Sequence, residues 1–315
     1  MSGSANQYAG RALVTGAGGF AGRVLCHFLS AERLRVFGIG RHSPGVGTFV
    51  PVAYPVSNRQ LARIVARVQP DYVFHLAGVA HGVSPFRFYQ VNACYAAALL
   101  EALRQAGRPC SVLLVGTAAE YGQVGAQDLP VTEDCPAHPY SHYGISKLAQ
   151  TQLGLAFDSK SLRVVVARPF NIIGAGMPAY LSVQAFIDQL VALRNSRRSK
   201  VLKVGNLQPS RDYLHVQTVV AAYWQLIRAG KAYGRVVNVC SGTPTRMSDI
   251  VDMLLDISGS SVRVEIDPDR VKPIDIPVHY GDNRLLRKLT GMVPKLDLRA
   301  ALEEAFHHAI SRRPA

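Results

Sequence analysis

Residues 140–147, Y-S-H-Y-G-I-S-K, place two tyrosines, a histidine and a lysine in one short stretch. If the stretch is helical, residues four apart share a face, with Cβ atoms about 5–6 Å apart. Tyr143 stands four residues before Lys147 and Tyr140 seven before it, so Tyr143 is the tyrosine that can be coupled to the lysine. A neighbouring ammonium lowers a phenol pKa from its usual value of about 10. The spacing therefore predicts that Tyr143 is a proton donor or acceptor near neutral pH.

A further hydroxyl is expected at the end of a buried strand, where V-G-T-A-A-E-Y-G (115–122) supplies Thr117. Hydride addition to a ketone makes an alkoxide that must be protonated. Thr117 would hydrogen-bond the substrate oxygen and hold it next to Tyr143. The Y-x-x-x-K spacing alone is common and mostly structural, but a glycine loop elsewhere in the chain gives it a context. We interpret Thr117, Tyr143 and Lys147 as the catalytic residues.

That glycine loop is T-G-A-G-G-F-A-G (15–22), which follows the first strand and opens the first helix. In such a loop Gly16 permits the tight turn, Gly19 lets a pyrophosphate approach the backbone, and Gly22 lets helix and strand pack closely. The free N–H groups at the helix N-terminus then face the phosphates. The loop predicts dinucleotide binding, with Gly18 and Phe20 as further members of the site.

The residues after the second strand bear on which dinucleotide is bound. An NAD site usually places an Asp or Glu about 20 residues beyond the loop, to bind the ribose 2′-hydroxyl. Here residues 33–70 contain no acidic residue, and Arg41 occupies the expected position with Ser43 close behind. A guanidinium suits a 2′-phosphate, which a carboxylate would repel. Arg41 and Ser43 therefore favour NADP(H).

The elements that must position these residues alternate between strands and helices. Continuous apolar runs predict buried strands, and helical spacing separates them; the strands are expected at 12–16, 36–40, 70–77, 111–116 and 162–169, and the helices through residue 29 and at 58–68, 91–106 and 141–157. Buried strands alternating with helices are typical of a parallel, doubly wound α/β sheet of the Rossmann type.

Beyond residue 170 the pattern becomes irregular and predicts a smaller C-terminal α/β lobe that binds substrate. Helices are expected at 182–194, 217–228, 246–257, 283–289 and 298–310, and short strands at 201–204 and 236–240. We assign residues 1–170 with about 214–242 to an NADP-binding Rossmann domain, and 171–213 with 243–315 to the lobe. The lobe is expected over the carboxyl ends of the sheet, where ligands bind in such folds.

Composition excludes several classes of protein. The chain has 315 residues, 48% of them hydrophobic and 18% charged, which describes a folded globular protein. No apolar run reaches the ~20 residues of a membrane span, and the first residues lack the features of a secretion signal, so a cytoplasmic protein is expected. The net charge of +14 includes the cluster R-N-S-R-R-S-K (194–200), which has no aromatic residue. We therefore expect small phosphate-bearing ligands, no nucleic acid, and no metal or disulfide among five scattered cysteines.

Taken together, the motifs resemble those of extended short-chain dehydrogenases/reductases that act on nucleotide sugars, over nearly the whole chain. The supporting stretches are T-G-A-G-G-F-A-G, H-L-A-G (75–78), V-N-A (91–93), Y-G-I-S-K, A-R-P-F-N (167–171), R-D-Y-L-H-V (211–216) and N-V-C-S-G (238–242). Within that family, R-P-F-N-I-I-G-A-G-M, K-V-G-N-L-Q-P-S-R-D-Y and D-P-D-R-V-K-P-I-D-I-P (267–277) are most similar to GDP-4-keto-6-deoxy-mannose reductases.

The resemblance implies roles for further residues. Tyr143 and Lys147 would also contact the cofactor, together with Leu76, Ala77, Gly78 and Arg168. Substrate contacts would come from Asn171, Arg211 and Arg270 at the diphosphate or nucleotide, and from Lys203 and Val204 at the base. The family also implies a homodimer formed through the helices at 91–106 and 141–157.

Two departures from the family pattern bear on which reaction is catalysed and on which nucleotide is bound. Dehydratases place an acid pair just after the catalytic Thr, where this chain has Ala118 and Ala119, so a plain ketoreductase is favoured. Lys272 replaces the second Arg of the D-P-x-R-x-R-P motif of GDP-sugar enzymes, which weakens the assignment to GDP.

The expected activity is NADPH-dependent reduction of the C4 ketone of a GDP-linked 4-keto-6-deoxy sugar. The alternatives are a 4-epimerase, a dehydrogenase running the same step as an oxidation, a reductase of a seven-carbon sugar, and a non-catalytic cofactor sensor. The nucleotide, the sugar and the C4 configuration of the product stay open.

Overall fold

The computed structural model describes residues 8–194, 201–271 and 276–312. In chain order its main elements are β1 (Arg11–Thr15), α1 (Phe20–Ala31), β2 (Arg35–Gly40), β3 (Thr48–Pro51), α2 (Asn58–Val68), β4 (Tyr72–His75), α3 (Pro85–Phe88), α4 (Tyr95–Ala106), β5 (Cys110–Val115), α5 (His142–Phe157), β6 (Leu162–Pro169), β7 (Asn171–Ile173), α6 (Ser182–Leu193), β8 (Val201–Val204), β9 (Ser210–His215), α7 (Val216–Arg228), β10 (Arg235–Val239), β11 (Pro244–Arg246), α8 (Met247–Ser258), β12 (Arg263–Ile266), β13 (Val278–His279), α9 (Arg284–Thr290) and α10 (Leu298–Ser311).

A parallel seven-stranded sheet in the order β10-β6-β5-β4-β1-β2-β3 forms the larger part of the molecule. One apolar core contains residues of α1 and α7 on one face, and another contains residues of α2 and α4 on the opposite face. The strand order reverses between β1 and β4, which is where ligands bind in doubly wound folds. The expected Rossmann-type fold is confirmed.

The smaller lobe is built on different sheets. Strands β11, β9 and β13 pair side by side, β7 pairs with β9, and β8 pairs with β12. A third apolar core lies beneath them, with α6, α8 and α10 contributing most of its residues. Strand β10 and helix α7 belong to the larger sheet and its core. Within the described part of the chain, no helix is long and apolar enough to cross a membrane.

The helix predicted at 91–106 differs in the structure. Residues Tyr89–Cys94 form a π-helical turn that joins α3 to α4, so the helical segment begins earlier and carries one irregular turn. Such turns occur mostly at functional sites. Strand β3 was not predicted, because T-F-V-P is short and has no continuous apolar run.

A buried carboxylate holds the lobe together at the R-D-Y segment. Asp212 is fully buried; its Oδ1 accepts from the N–H and hydroxyl of Ser241 (both 2.8 Å), and its Oδ2 accepts from the N–H groups of Gly242 (2.9 Å) and Gly281 (3.4 Å). One side chain therefore joins β9 to two loops that are distant in sequence.

Replacing Asp212 by Ala should lower the free energy of unfolding by roughly 3–5 kcal/mol, because several buried N–H groups lose their acceptor. Chemical denaturation measures the change. The exposed Asp249, in the first turn of α8, is the matched control, and its replacement by Ala should cost less than about 1 kcal/mol. Equal losses in the two variants would contradict this role for Asp212.

Candidate active site

The glycine loop closes tightly against the end of β4. Gly16 has φ +68°, and a Cβ at this position would lie 2.8 Å from the N atom of Ala77. A Cβ at Gly22 would lie 2.1 Å from the carbonyl oxygen of Gly16, so helix α1 can pack this closely only without a side chain there. Thr15 braces the same junction, since its Oγ1 accepts from the N–H of Ala77 (3.1 Å). The loop thus brings Leu76, Ala77 and Gly78 beside the start of α1.

The N-terminus of α1 is suited to bind an anion. Its N-cap, Gly19, provides no side chain to the first turn, and no acidic residue lies in that turn. Unpaired N–H groups and the helix dipole both favour negative charge at such a position. Phe20 begins the helix at this point.

The loop after β2 lies against the glycine loop. A Cβ at Gly18 would lie 2.2 Å from the carbonyl oxygen of His42, which brings the neighbouring Arg41 and Ser43 to this edge. Arg41 is exposed and makes no ion pair with a described residue. The Ser43 hydroxyl accepts from the N–H of Gly45 (3.2 Å). A guanidinium without an ionic partner among the described residues therefore lies on the loop that packs against the glycine loop.

Thr117 and Tyr143 come together at the end of β5. Thr117 caps a short 3₁₀ turn, and Ser141 caps α5 by accepting from the N–H of Gly144 (3.1 Å). Burial raises the pKa of the Tyr143 phenol to about 12, and its hydrogen bond with Thr117 opposes that rise. At neutral pH Tyr143 is therefore protonated, which suits a proton donor.

Helix α5 approaches the sheet through its glycines. A Cβ at Gly144 would lie 2.6 Å from the carbonyl oxygen of Ala119, and a Cβ at Gly154 would lie 2.3 Å from Cδ1 of Leu114. Gly154 faces strand β5, and Gly144 faces the 3₁₀ turn after β5 that Thr117 caps. Their lack of a side chain lets the helix bring Tyr143 within reach of that hydroxyl.

Lys147 is buried on the same helix but does not act as its spacing predicted. Its Nζ donates to the carbonyl oxygen of Val115 and to Oε1 of Gln150 (2.7 Å). Burial lowers the pKa of Lys147 to about 8, and the Glu120 carboxylate opposes this shift. Lys147 is not among the groups that shift the pKa of Tyr143. The expected lowering of the Tyr143 pKa is therefore corrected, because burial of the phenol dominates and the ammonium is directed to other oxygens.

Arg168 also requires a correction. The proposed cofactor contact does not fit its position, because the side chain is buried and donates from Nη2 to Oε2 of Glu120 (2.7 Å). Its guanidinium also lies over the ring of Tyr121, 4.3 Å from the centroid. Arg168 therefore supports the site from within the protein.

The residues expected to bind substrate are spread over the lobe. Asn171 is exposed and donates to the carbonyl oxygen of Asp212 (2.9 Å), and Arg211 donates from Nη1 to the carbonyl oxygens of Ser210 (2.9 Å) and Ile276 (2.7 Å). The exposed Arg270 lies in a short turn and pairs with Asp267 (3.3 Å). Lys272 lies outside the described residues, as does most of the basic cluster 194–200.

The prediction that the side chain of Val204 contacts the nucleotide base is wrong. Its side chain is fully buried in the core of the lobe, and its carbonyl oxygen accepts from the N–H of Asp267 (2.8 Å). Lys203 keeps an exposed side chain, while its backbone N–H and carbonyl pair with the side-chain amide of Gln189 (both 3.0 Å). Alternation along β8 explains the difference, since only one of two neighbours can face outward.

Comparison with known proteins identifies the family. The model of the NAD dependent epimerase/dehydratase family matches residues 12–240. The chain belongs to this family. The expected resemblance to extended short-chain dehydrogenases/reductases is thereby confirmed.

Two relatives and a solved structure match nearly the whole chain. GDP-6-deoxy-D-mannose reductase of Pseudomonas aeruginosa is 32% identical over 93% of this chain and 94% of its own length. dTDP-6-deoxy-L-talose 4-dehydrogenase (NAD(P)(+)) of Kitasatospora kifunensis is 30% identical over 94% of each. The structure of RMD from Pseudomonas aeruginosa complexed with NADPH superposes with a TM-score of 0.83 at 29% identity, covering 97% of this chain and 100% of that one. This member of the epimerase/dehydratase family is an NAD(P)-dependent enzyme acting on nucleotide sugars.

Glu120 is an important residue of this family member that the sequence reasoning missed. It is fully buried; Oε1 accepts from the N–H of Thr117 (2.8 Å), and Oε2 accepts from the hydroxyl of Thr151 (2.8 Å) and from Arg168. The carboxylate thus joins the turn of Thr117, helix α5 and strand β6. An acidic residue inside V-G-T-A-A-E-Y-G was the available signal.

Asn92 is a second missed residue, although the V-N-A motif contained it. It lies in the π-helical turn, and its amide binds both the N–H (2.8 Å) and the carbonyl (3.0 Å) of Val79 and the hydroxyl of Ser146 (2.9 Å). Asn92 thereby ties the loop after β4 to helix α5 beside Lys147.

Replacing Glu120 by Gln should move the alkaline limb of the kcat profile to lower pH. The buried carboxylate favours the charged form of Lys147, and its loss also leaves the Arg168 charge uncompensated nearby. The variant should lose about fivefold more activity at pH 8 than at pH 6, because a Lys147 pKa one unit below its present value of about 8 leaves only about a tenth of the lysine charged at pH 8.

Asp158→Asn is the matched control, since that carboxylate accepts from the N–H of Val164 (2.7 Å) at the far end of α5. Its pH profile should match that of the unmodified enzyme. A Glu120→Gln profile with an unmoved alkaline limb would show that Glu120 acts only in packing.

Proposed function

We propose that this enzyme catalyses the NADPH-dependent reduction of the C4 ketone of a nucleotide-linked 4-keto-6-deoxy sugar, with GDP-4-keto-6-deoxy-mannose as the favoured substrate and a GDP-6-deoxyhexose such as GDP-rhamnose as the product. The observation that carries the proposal is the close packing of the start of α5, which bears Tyr143, against the turn that Thr117 caps at the end of β5. The match to GDP-6-deoxy-D-mannose reductase supports the substrate.

The residues present fit a dinucleotide phosphate. Gly16, Gly18 and Gly22 leave no room for side chains in the loop, and the first turn of α1 has no side-chain cap. Arg41, without an ionic partner among the described residues, would hold a 2′-phosphate, and Ser43 would assist it. Leu76, Ala77 and Gly78 would line the cofactor, which supplies hydride when bound in its reduced form.

The chain's own residues supply the proton and hold the substrate. Thr117 would donate a hydrogen bond to the C4 oxygen. Tyr143 would then give its proton to that oxygen, because an alkoxide is more basic than a phenolate even when burial has raised the phenol pKa. Lys147, on the same helix, would contact the cofactor.

The remaining residues would bind the nucleotide diphosphate and explain why water is not eliminated from the sugar. Asn171, Arg211 and Arg270 would contact the diphosphate or nucleotide, and the exposed side chain of Lys203 the base. Ala118 and Ala119 follow Thr117 without an acid, and their methyl groups cannot carry the protons that a dehydration requires.

A second candidate is the reverse reaction, oxidation of a 6-deoxysugar at C4. The 30% identity to dTDP-6-deoxy-L-talose 4-dehydrogenase favours it. A 4-epimerase is opposed by the acid-free stretch 33–70, which lacks the residue that would bind the ribose of NAD.

Mixing the enzyme with NADPH and GDP-4-keto-6-deoxy-mannose should consume NADPH, and NMR of the product should show a new C4 hydroxyl. Tyr143→Phe should lower kcat by about 10²–10⁴-fold, because the proton donor is lost. Tyr140→Phe, three residues away and exposed, should keep full activity. Unchanged NADPH absorbance with the unmodified enzyme would exclude the reductase and leave an epimerase or a sensor.

Arg41→Asp should raise the KM for NADPH far more than the KM for NADH, because a carboxylate repels the 2′-phosphate. Steady-state kinetics with both cofactors measures the two values. Arg59→Asp is the matched control, since Arg59 is an exposed arginine on α2 in the same acid-free stretch. A parallel rise for both cofactors would remove Arg41 from this role.

The proposal includes a homodimer formed through α4 and the neighbouring helix α5. Light scattering of the purified protein should give twice the chain mass of 34.2 kDa.

A further inference from the structure

Two aromatic side chains, one from the sheet domain and one from the lobe, are stacked on each other. His81 lies in the loop after β4, and Tyr180 lies between β7 and α6. Their rings are stacked, with centroids 5.4 Å apart and planes 8° from parallel. The contact joins the larger sheet domain to the lobe.

The loop that carries His81 is fixed beside the catalytic helix. At its start, the amide of Asn92 binds the backbone of Val79 on both sides and the hydroxyl of Ser146 on α5 (2.9 Å). In α3, which follows the loop, the ring of Phe88 lies 6.4 Å from that of Tyr143. Burial raises the pKa of Tyr143 most, and the phenol of Tyr180 adds to that rise. The loop that carries His81 is therefore held beside the helix that carries the proton donor.

The polar edges of this pair have no hydrogen-bond partner among the residues that the structure describes. Neither the imidazole of His81 nor the hydroxyl of Tyr180 makes a hydrogen bond with another described residue, and Tyr180 is 51% exposed. An aromatic surface with free donors and acceptors at its edge is the chemistry that recognises carbohydrate. The apolar C–H face of a sugar packs on the ring, and its hydroxyls bond to the edge.

We propose that the His81–Tyr180 pair binds the sugar ring of the substrate and determines which sugars the site accepts. The inference rests on the proposed nucleotide-sugar function and adds the residues that contact the sugar. The nucleotide and diphosphate bind elsewhere in the lobe, so the pair contributes to affinity only when a sugar is attached.

Calorimetry with nucleotide sugars and their parent nucleotides separates these contributions. Tyr180→Ala and His81→Ala should each weaken binding of GDP-mannose by about tenfold and leave binding of GDP unchanged. UDP-glucose and UDP form a second pair of probes for a site that prefers uridine. Tyr140→Ala is the matched control, because Tyr140 is 52% exposed and should leave all affinities unchanged.

Tyr180→Phe keeps the stacked ring and removes only the hydroxyl, so it should fold normally and weaken GDP-mannose binding by less than Tyr180→Ala does. Equal weakening of GDP and GDP-mannose would mean that the pair only supports the fold and would overturn the inference. The same follows if the unmodified enzyme binds neither sugar nucleotide more tightly than its parent diphosphate. A failure of NADPH consumption would overturn the proposed reaction while the binding result stood.

Discussion

The carboxylate of Glu120 holds together the three elements on which the site depends. It binds the turn that carries Thr117, the helix that carries Tyr143 and Lys147, and the strand that carries Arg168. A buried ion pair contributes little net stability, since desolvation offsets much of the attraction, but losing one partner of such a pair typically costs 3–5 kcal/mol. The ion pair matters here for geometry, because the hydrogen bonds of Glu120 fix the turn of Thr117 relative to the helix that carries Tyr143.

The Glu120 carboxylate also affects the charge of Lys147. Lys147 is buried, and burial alone would favour its neutral form. Glu120 restores part of the preference for the ammonium without contacting it through a hydrogen bond described in the structure. The phenol in turn stays protonated because it is buried. A protonated phenol at this position can supply a proton to an alkoxide.

Local patterns were sufficient to predict much of the fold. Strand β6 and helix α2 lie where the apolar run and the helical spacing placed them, at Leu162–Pro169 and Asn58–Val68. The glycine loop was predictable because each glycine serves a contact within its own βα unit. The short strands of the lobe, such as β7 and β11, were not, because they span only a few residues and owe their pairing to β9.

The misassigned side chains share one physical cause. Arg168 pairs with a carboxylate 48 residues away, and Lys147 donates to a carbonyl oxygen 32 residues away, so local spacing could not reveal these two contacts. Val204 was placed at the base by motif, but the direction of a strand side chain depends on which face the lobe buries. The positions of the reactive hydroxyls were therefore easier to anticipate than the groups that hold them.

Helix α5 lies against the turn after β5 at Gly144 and against β5 itself at Gly154, ten residues or about 15 Å apart along its axis. The absence of a side chain at these two positions therefore determines how closely the helix packs against β5 and the turn that follows it. A larger residue at Gly154 would push that end of α5 away from β5, tilt the helix and displace Tyr143 at its other end. The identity of the residue at position 154 should therefore matter for catalysis, although this position lies away from the substrate.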